Sequence, residues 1–308
     1  MITLIIPCCG RNFINNQPRW TLQLANDEFL ITFCLSKLKT IKYDRIIVTI
    51  LNEDVDYLYN IKSVIDRKIE FCILDSRTNG PADTVCLTIE KMNVIGEVHV
   101  KDIDIVFDNK IECKGNFISG IHLVNYDSDI RNIRNKSFIT RNEQNVVMDI
   151  IEKTIKSDII SIGLYGFSDA TDFVSAYTKL KINFGNESTL YISHIISYLI
   201  GVKGIVFNYV EIPTYKTFET PNDYDKSIRG MGCYIIDLSK VDVSNCINEL
   251  SCLSVHGAKL IFLTDNMDKL NDLKMNNIKF ESILINKNIY KKYVSSNDEL
   301  KDVLLNAN

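Results

Sequence analysis

The sequence lacks a Cys-x-x-Cys pair, and its nine cysteines are scattered at irregular spacing. An odd number of unevenly spaced cysteines is atypical of a disulfide framework or a zinc site, so we expect reduced, intracellular thiols. No apolar run approaches the roughly 20 residues that a membrane-spanning helix needs. The apolar start of the chain is short, has no basic region before it and ends at Pro7, which predicts a buried strand and not a signal peptide. These absences favour a cytoplasmic protein.

An excess of positive charge is also missing, since the formal net charge is −4. No global field therefore attracts nucleic acid or anionic lipid, and we expect neither nucleic acid nor membrane as a partner. An anionic ligand would have to be held by a few locally placed donors. With 308 residues, 46% hydrophobic and 24% charged, the composition is that of a globular protein with one large domain or two unequal ones.

Neither internal repeats nor a Gly/Ser-rich linker interrupts the chain. Short β-branched runs alternate instead with stretches of helical spacing, which predicts an α/β fold: a Rossmann-like mixed, mostly parallel sheet flanked by helices. The predicted strands are 3–7, 44–50, 69–74, 98–104, 146–151, 159–167 and 205–212, and residues 117–125 are predicted as a further stretch of strand and loop. The predicted helices are 29–38, 55–66, 81–92, 170–179 and 193–200.

The alternation restarts after Gly232 and predicts a second, small α/β domain. Its predicted strands are 233–241, 258–266 and 280–286, and its predicted helices are 245–254, 267–275 and 297–305. We therefore predict two domains, 1–228 and 229–308, that pack closely.

Three segments have residues suited to nucleotide chemistry. Residues 7–11, Pro-Cys-Cys-Gly-Arg, follow the first strand, and a tight turn there can direct backbone N–H groups and an arginine at phosphates. In residues 79–85, Gly80 would let a flat base approach the backbone. Asp102 and Asp104 end a strand, where Mg²⁺ on a nucleotide phosphate is often bound. Each segment also has a plain structural interpretation: a strand-to-helix loop, a capped helix and a solvated acidic turn.

Taken in order, these segments resemble the sugar-phosphate nucleotidyltransferases, in particular the branch used in bacterial capsule and surface-glycan synthesis. That family has a strand with a Gly/Arg loop, a Pro-Lys pair, a T-x-G-x-A-x-T-V segment, an Asp at a strand end, a Glu-Lys pair, a Gly-x-Tyr-x-Phe strand and a Thr-Pro-x-Asp-Tyr segment. The corresponding later segments here are Glu152-Lys153, 163–167 and 220–224. The resemblance spans residues 1–228.

The resemblance implies attack of a sugar phosphate, or a similar phosphate monoester, on the α-phosphorus of a nucleoside triphosphate, with release of pyrophosphate. It implies Mg²⁺ bound by Asp104 and catalytic phosphate contacts from Arg11 and Arg19. By the same resemblance, the nucleotide would lie on Cys9, Gly10, Gly80, Thr84 and Asp102, and the phosphorylated acceptor on Glu152, Lys153, Gly163 and Tyr165.

The sequence departs from the family pattern at three places. The phosphate loop is about two residues short, the Pro-Lys pair is Pro18-Arg19, and Thr217 stands where the family has its second metal-binding Asp. A hydroxyl replaces a carboxylate poorly on Mg²⁺, so Asp102 or Glu219 would have to compensate. Two alternatives therefore stay open: a non-catalytic homologue that acts as a nucleotide-binding or partner subunit, and a nucleotide-sugar glycosyltransferase of the same general fold.

The C-terminal tail faintly resembles the haloacid dehalogenase-type phosphatases. Asp237 falls where their nucleophile lies, and Thr264, Lys287 and Asp298 match the later motifs loosely. The second Asp of their D-x-D pair is Ser239 here, which removes the general acid. We therefore interpret the tail as a degenerate structural or oligomerising unit, and expect a homo-oligomer or pairing with a related enzyme.

Overall fold

The computed structural model describes residues 1–10, 18–24, 28–38, 41–61, 69–107, 113–126, 130–185, 187–220, 223–224, 233–237, 250, 259–264 and 281–284. The chain divides into two units, one made of Met1–Leu22 and Phe29–Thr220, the other of Gln23–Glu28 and Pro221–Asn308. The domain boundary predicted between residues 228 and 229 stays a prediction. Within the described ranges, every helix is too short or too polar to cross a bilayer.

The first unit is built from eleven strands and five α-helices in its described residues. The strands are β1 (Ile2–Pro7), β2 (Arg45–Leu51), β3 (Ile69–Leu74), β4 (Glu97–Lys101), β5 (Ile105–Val106), β6 (Phe117–His122), β7 (Ser137–Arg141), β8 (Val147–Glu152), β9 (Ile159–Phe167), β10 (Asn208–Glu211) and β11 (Lys216–Thr217). The α-helices are α1 (Leu30–Lys37), α2 (Leu58–Ile61), α3 (Pro81–Lys91), α4 (Ala170–Phe184) and α5 (Ile192–Gly201).

Nine of these strands form one mixed sheet. Its order is β10-β6-β9-β4-β1-β2-β3, with β7 joined to β8 and to β9. β1, β2, β3 and β4 run parallel, whereas β9 runs antiparallel to both β4 and β6. The apolar runs of β1 and β2 are buried almost throughout, as expected of parallel strands covered on both faces. The predicted fold class, a mixed and mostly parallel sheet flanked by helices, is confirmed.

Aromatic residues fill the core beneath the helices. Phe167, at the end of β9, contacts Phe173 of α4 and Phe207 edge to face, with ring centroids 5.0 and 5.8 Å apart. All three rings are fully buried. Burial of large rings in offset or edge-to-face pairs stabilises a core beyond the area that it removes from water. This cluster fixes α4 against the middle of the sheet.

Several predicted elements differ from the observed ones. β4 ends at Lys101, three residues before the predicted end at 104, because the chain turns where the Asp102 amide donates to the Gly163 carbonyl at 2.8 Å. In place of the predicted helix 55–66, the structure has a 3₁₀ helix at Asn52–Tyr57 followed by α2, and residues 62–68 lie outside the described residues. The strand predicted at 205–212 is shorter, and β7 was not predicted.

The described part of the second unit is a three-stranded parallel sheet. It consists of β12 (Cys233–Asp237), β13 (Lys259–Thr264) and β14 (Glu281–Leu284), in that order. The three tail strands were predicted at these places. Asp237 and Thr264 are the last residues of neighbouring parallel strands. The other residues of the phosphatase-like pattern, Ser239, Lys287 and Asp298, lie outside the described residues. So do the predicted tail helices, except for residue 250. The phosphatase-like interpretation of the tail stays untested.

We expect Asp169→Ala to lower the free energy of unfolding by about 1 kcal/mol, because Asp169 caps α4. Its Oδ1 accepts hydrogen bonds from the Thr171 amide at 2.8 Å and the Thr171 hydroxyl at 2.9 Å. Urea denaturation measures the change. Lys179→Ala, on the exposed side of the same helix, is the matched control and should change stability by less than about 0.5 kcal/mol. Equal losses in both variants would contradict the capping role.

Candidate functional site

The loop after β1 contains the first group of predicted site residues. The Cys8 amide donates to the Thr49 carbonyl at 2.8 Å, and the Cys9 thiol points to the same carbonyl at 3.7 Å. Gly10 is exposed, with no atom within 4 Å of the place where a Cβ would stand. Arg11 lies outside the described residues, so its predicted phosphate contact stays a prediction. The start of this loop is thus anchored on β2 and then opens to solvent.

Arg19 and Asp104 form an ion pair with each other. Arg19 opens a 3₁₀ turn, Arg19–Thr21, in which Trp20 is fully buried. Its Nη1 donates to Asp104 Oδ2, and both side chains are largely buried, 24% and 17% exposed. The predicted phosphate ligand and the predicted metal ligand are therefore adjacent, as one site requires.

Asp102 lies in the turn after β4, against Gly163 of β9. Gly163 has φ +74°, and a Cβ there would stand 2.5 Å from Asp102 Oδ2. Glycine is required at this position for both reasons, the left-handed backbone and the close approach of the carboxylate. Burial raises the pKa of Asp102 to about 7, with a further contribution from the negative charge of Asp104.

A buried lysine, Lys101, is hydrogen-bonded to the backbone of the turn after β4. The side chain of Lys101 is fully buried, and its ammonium donates to the Asp102 carbonyl at 2.6 Å and to the Ile105 carbonyl. The same ammonium lies 5.0 Å from the ring centroid of Phe107. Because a buried charge must be hydrogen-bonded to be tolerated, these contacts fix the conformation of residues 102–105. They thereby fix the directions of Asp102 and Asp104.

Gly80 and Thr84 lie at the start of α3 and stabilise its first turn. Gly80 has φ +147°, and a Cβ there would stand 2.8 Å from the Leu190 carbonyl, so the segment before α5 occupies that side of the glycine. The Thr84 hydroxyl is hydrogen-bonded to the Thr78 hydroxyl at 2.6 Å and to the Gly80 carbonyl at 3.2 Å. Both residues thus have a structural role here; the predicted contacts with a nucleotide base stay predictions.

A polar cavity of about 130 Å³ opens beside Asp102. It collects four of the predicted site residues, Asp102, Glu152, Gly163 and Tyr165. The remaining lining residues are Pro81, Ile105, Asn135, Lys136, Ser137, Ser161, Tyr191, Ile192, Ser193 and Glu219. Carboxylates and hydroxyl groups dominate this surface, which suits a small ligand with several hydrogen-bond donors.

Glu152 is held in a fixed orientation at the wall of the cavity. Its Oε2 accepts hydrogen bonds from the Ser137 hydroxyl at 2.5 Å and from the Ser193 hydroxyl at 2.6 Å. Ser137 is its partner across the β7–β8 ladder. The predicted acceptor-binding glutamate is thus positioned by two serines that the sequence interpretation had not singled out.

Lys153, next to Glu152, lies at the rim and not in the cavity lining. Its backbone has φ +54°, and its exposed ammonium lies 4.1 Å from the ring centroid of Tyr191. It also donates to the Tyr191 hydroxyl at 2.5 Å. Tyr191 itself lines the cavity, so Lys153 contacts a lining residue without lining the cavity itself.

Lys136 is the cation that lines the cavity. It is 7% exposed, and its ammonium forms an ion pair with the carboxylate of Glu219. Burial acts to lower the pKa of Lys136, but the pair with Glu219, together with contributions from Tyr126 and Asp104, outweighs burial and raises the pKa of the lysine. Neither the pair nor the depth of Lys136 was predicted, because no local pattern links the two residues, which are 83 positions apart.

Thr217 stands where the resemblance implies a second metal-binding Asp. It pairs with Ile105 in the β5–β11 ladder, and the next amide, of Phe218, donates to the Asp104 carbonyl at 2.7 Å. The short ladder brings Glu219 to the cavity. The carboxylate of Glu219 therefore lines the cavity two residues beyond Thr217, where it is paired with Lys136. Its compensation for Thr217 on a metal ion stays a prediction.

The described donors suit a metal ion that arrives with a nucleotide. No group of three or more His, Cys, Asp or Glu side chains among them is arranged to hold a metal ion alone. Mg²⁺ in nucleotide sites is typically held by one or two carboxylates together with phosphate oxygens and water. Asp104 and Asp102 are two carboxylates in one turn, as such binding requires, and the predicted binding of Mg²⁺ by Asp104 stays a prediction.

The fold is shared with solved nucleotidyltransferase structures. A nucleoside-diphosphate-sugar pyrophosphorylase from Vibrio cholerae superimposes with a TM-score of 0.61 at 20% identity, over 74% of this chain and 100% of that one. CTP:phosphocholine cytidylyltransferase from Streptococcus pneumoniae gives 0.55 at 18%, over 73% and 96%. The inositol-1-phosphate CTP transferase from T. maritima gives 0.56 at 13%, over 72% and 90%. No family model and no curated protein matches the sequence.

Proposed function

We propose that this protein is a nucleotidyltransferase that joins a nucleoside monophosphate, taken from a nucleoside triphosphate, to a small phosphorylated acceptor with release of pyrophosphate. The observation that carries the proposal is the acidic turn of Asp102 and Asp104, which ends β4 beside a polar cavity. Ligands of open α/β sheets bind at the carboxyl ends of strands. The likeness to solved nucleotidyltransferases at the level of fold supports the same function.

Phosphoryl transfer asks the protein mainly to align two anions and to neutralise their charge. Arg19 would bind a phosphate of the nucleotide by exchanging one oxygen of Asp104 for a phosphoryl oxygen. Arg11 and the backbone of Cys9 and Gly10 would complete the phosphate loop, and Gly80 and Thr84 would border the base. Asp104, with Asp102 beside it, would hold Mg²⁺ together with the nucleotide phosphates. That ion would neutralise negative charge on the phosphoryl oxygens.

The acceptor would occupy the cavity of about 130 Å³. Glu152, oriented by its two serines, is placed to accept hydrogen bonds from hydroxyl or amino groups of the acceptor. Tyr165 borders the same space, while Lys153 at the rim would meet the acceptor phosphate. We place the reaction in the synthesis of surface-glycan precursors, as the resemblance implies.

Thr217 favours a second candidate, a nucleotide-binding homologue without turnover. A hydroxyl in place of a carboxylate removes a metal ligand that the resemblance implies. Such a protein would bind a nucleotide through the same turn and act on a partner enzyme. The two candidates differ in whether pyrophosphate is released.

The test combines binding and turnover with the full-length chain. Calorimetric titration with ATP, CTP, GTP, UTP and dTTP, each with and without Mg²⁺, identifies the nucleotide. A coupled pyrophosphate assay with that nucleotide and a panel of sugar phosphates, phosphocholine and polyol phosphates then identifies the acceptor. Mg²⁺-dependent binding with pyrophosphate release supports the transferase, and binding without release supports the non-catalytic homologue. If none of the five nucleotides binds, both candidates are wrong.

A further inference from the structure

A positive charge is built into the acidic end of the cavity. Lys136 immediately precedes β7, is 7% exposed and directs its ammonium to Glu219. Glu219 is itself 24% exposed at its side chain and lines the cavity with Asp102 and Lys136. Burial of an unpaired ammonium costs free energy, so the ion pair with Glu219 is what allows Lys136 to be buried at this position.

The charge of Lys136 acts on the same carboxylates as the proposed metal. Lys136 lines the same cavity as Asp102 and Glu219, and Asp104 lies in the same turn as Asp102. The ammonium donates its hydrogen bond to Glu219. The β5–β11 ladder places Thr217 opposite Ile105 and thereby leaves a hydroxyl near the acidic turn. The turn thus has one carboxylate fewer than the resemblance implies and one fixed cation more.

We propose that Lys136 is the resident cation of this site: its ammonium occupies the acidic end of the cavity and contacts a phosphoryl oxygen, and so supplies part of the positive charge that a metal ion would otherwise provide there. Glu219 positions the ammonium and Asp102 keeps it at this end. The contact with phosphate rests on the proposed function, whereas the occupation of the acidic end of the cavity does not.

The proposal has an electrostatic signature that a merely structural lysine lacks. A fixed unit charge in the same cavity repels a divalent ion, so removal of that charge should increase divalent-ion affinity on the order of tenfold. The same removal should weaken the binding of an anion. Opposite changes for a cation and an anion in one variant are not expected from loss of packing.

The experiment compares wild type with Lys136→Met, which keeps the length of the side chain, and Lys136→Arg, which keeps its charge. Calorimetric titration with Mn²⁺ alone, and separately with inorganic pyrophosphate, measures both affinities. We expect Lys136→Met to bind Mn²⁺ roughly tenfold more tightly and pyrophosphate roughly tenfold more weakly, and Lys136→Arg to stay within about threefold of wild type. Lys203→Met, at an exposed position away from the cavity, is the matched control.

Unchanged or weaker Mn²⁺ binding by folded Lys136→Met would overturn the proposal. If that variant does not fold, Lys136→Gln decides: it removes the charge but can still donate a hydrogen bond to Glu219, so Mn²⁺ should again bind more tightly and pyrophosphate more weakly, and a change in the other direction sinks the idea. If Mn²⁺ affinity rises in Lys136→Met while no variant and no wild-type protein binds a nucleoside triphosphate, the resident cation stands and the proposed function fails.

Discussion

Replacement of Asp104 by asparagine is expected to lower kcat/KM for nucleotidyl transfer by roughly 10²–10³-fold, the usual effect of losing one electrostatic contact in a preorganised site. Two causes act together. The variant loses the carboxylate that would hold Mg²⁺ with the nucleotide phosphates, and Arg19 loses its ion-pair partner. Initial rates of pyrophosphate release at saturating Mg²⁺ measure the change, with the nucleotide identified by calorimetry.

The matched control for this prediction is Asp56→Asn, which makes the same chemical change on an exposed residue of the 3₁₀ helix Asn52–Tyr57. It should leave kcat/KM within about twofold. Because the Asp104 backbone carbonyl, and not its side chain, accepts the Phe218 amide, the fold of the turn should survive the substitution. An Asp104→Asn variant with at least half of the wild-type kcat/KM would remove this residue from the metal site.

Gly163→Ala is expected to lower the free energy of unfolding by about 2–4 kcal/mol. The added methyl group would stand 2.5 Å from Asp102 Oδ2 and 2.7 Å from Asp102 Cβ, and the backbone at φ +74° disfavours any residue with a Cβ. The strand β9 on which Gly163 lies is buried along its whole length, so relaxation there is restricted. Urea denaturation followed by circular dichroism measures the loss.

Gly201→Ala is the control for the glycine prediction. Gly201 ends α5, and nothing lies within 4 Å of the place where its Cβ would stand. In this position alanine should be neutral or stabilise the protein by up to about 1 kcal/mol. Since the Gly163 variant would also displace Asp102, nucleotide affinity should fall with stability in that variant alone. A loss below about 1 kcal/mol would show that the turn relaxes freely.

The strands were the most predictable part of the fold. β1 and β2 are runs rich in β-branched residues, and both are buried almost throughout. Burial on both faces of a sheet favours such runs, so these strands can be recognised from their own sequence. The prediction for β3 agrees with the observed Ile69–Leu74 to the residue, although only Cys72 and Leu74 of this strand are buried. β7, by contrast, is not predictable from its own sequence, because Ser-Phe-Ile-Thr-Arg is short and mixes polar with apolar residues. It is a strand because it pairs with β8.

Parts of the candidate site were also predictable. The acidic pair Asp102 and Asp104, and Glu152 with Gly163 and Tyr165, were chosen from motif order, and the structure places the last three together with Asp102 around one cavity. The predicted contact of Lys153 with the acceptor stays a prediction, and in the structure its ammonium lies over the Tyr191 ring. Only the tertiary structure brings these two residues together, because they are 38 positions apart in the sequence.

The sequence by itself determined the alternation of strands and helices, the acidic strand end and the absence of a carboxylate at Thr217. Only the tertiary structure decided which charges neutralise one another. Arg19 meets Asp104 across 85 residues of sequence, and Lys136 meets Glu219 across 83. Both pairs depend on strand order and register, in particular on the β5–β11 ladder that carries Glu219 to the cavity. Secondary structure follows from interactions between near neighbours, whereas the partner of a buried charge is set by the packing of segments that are far apart in the chain.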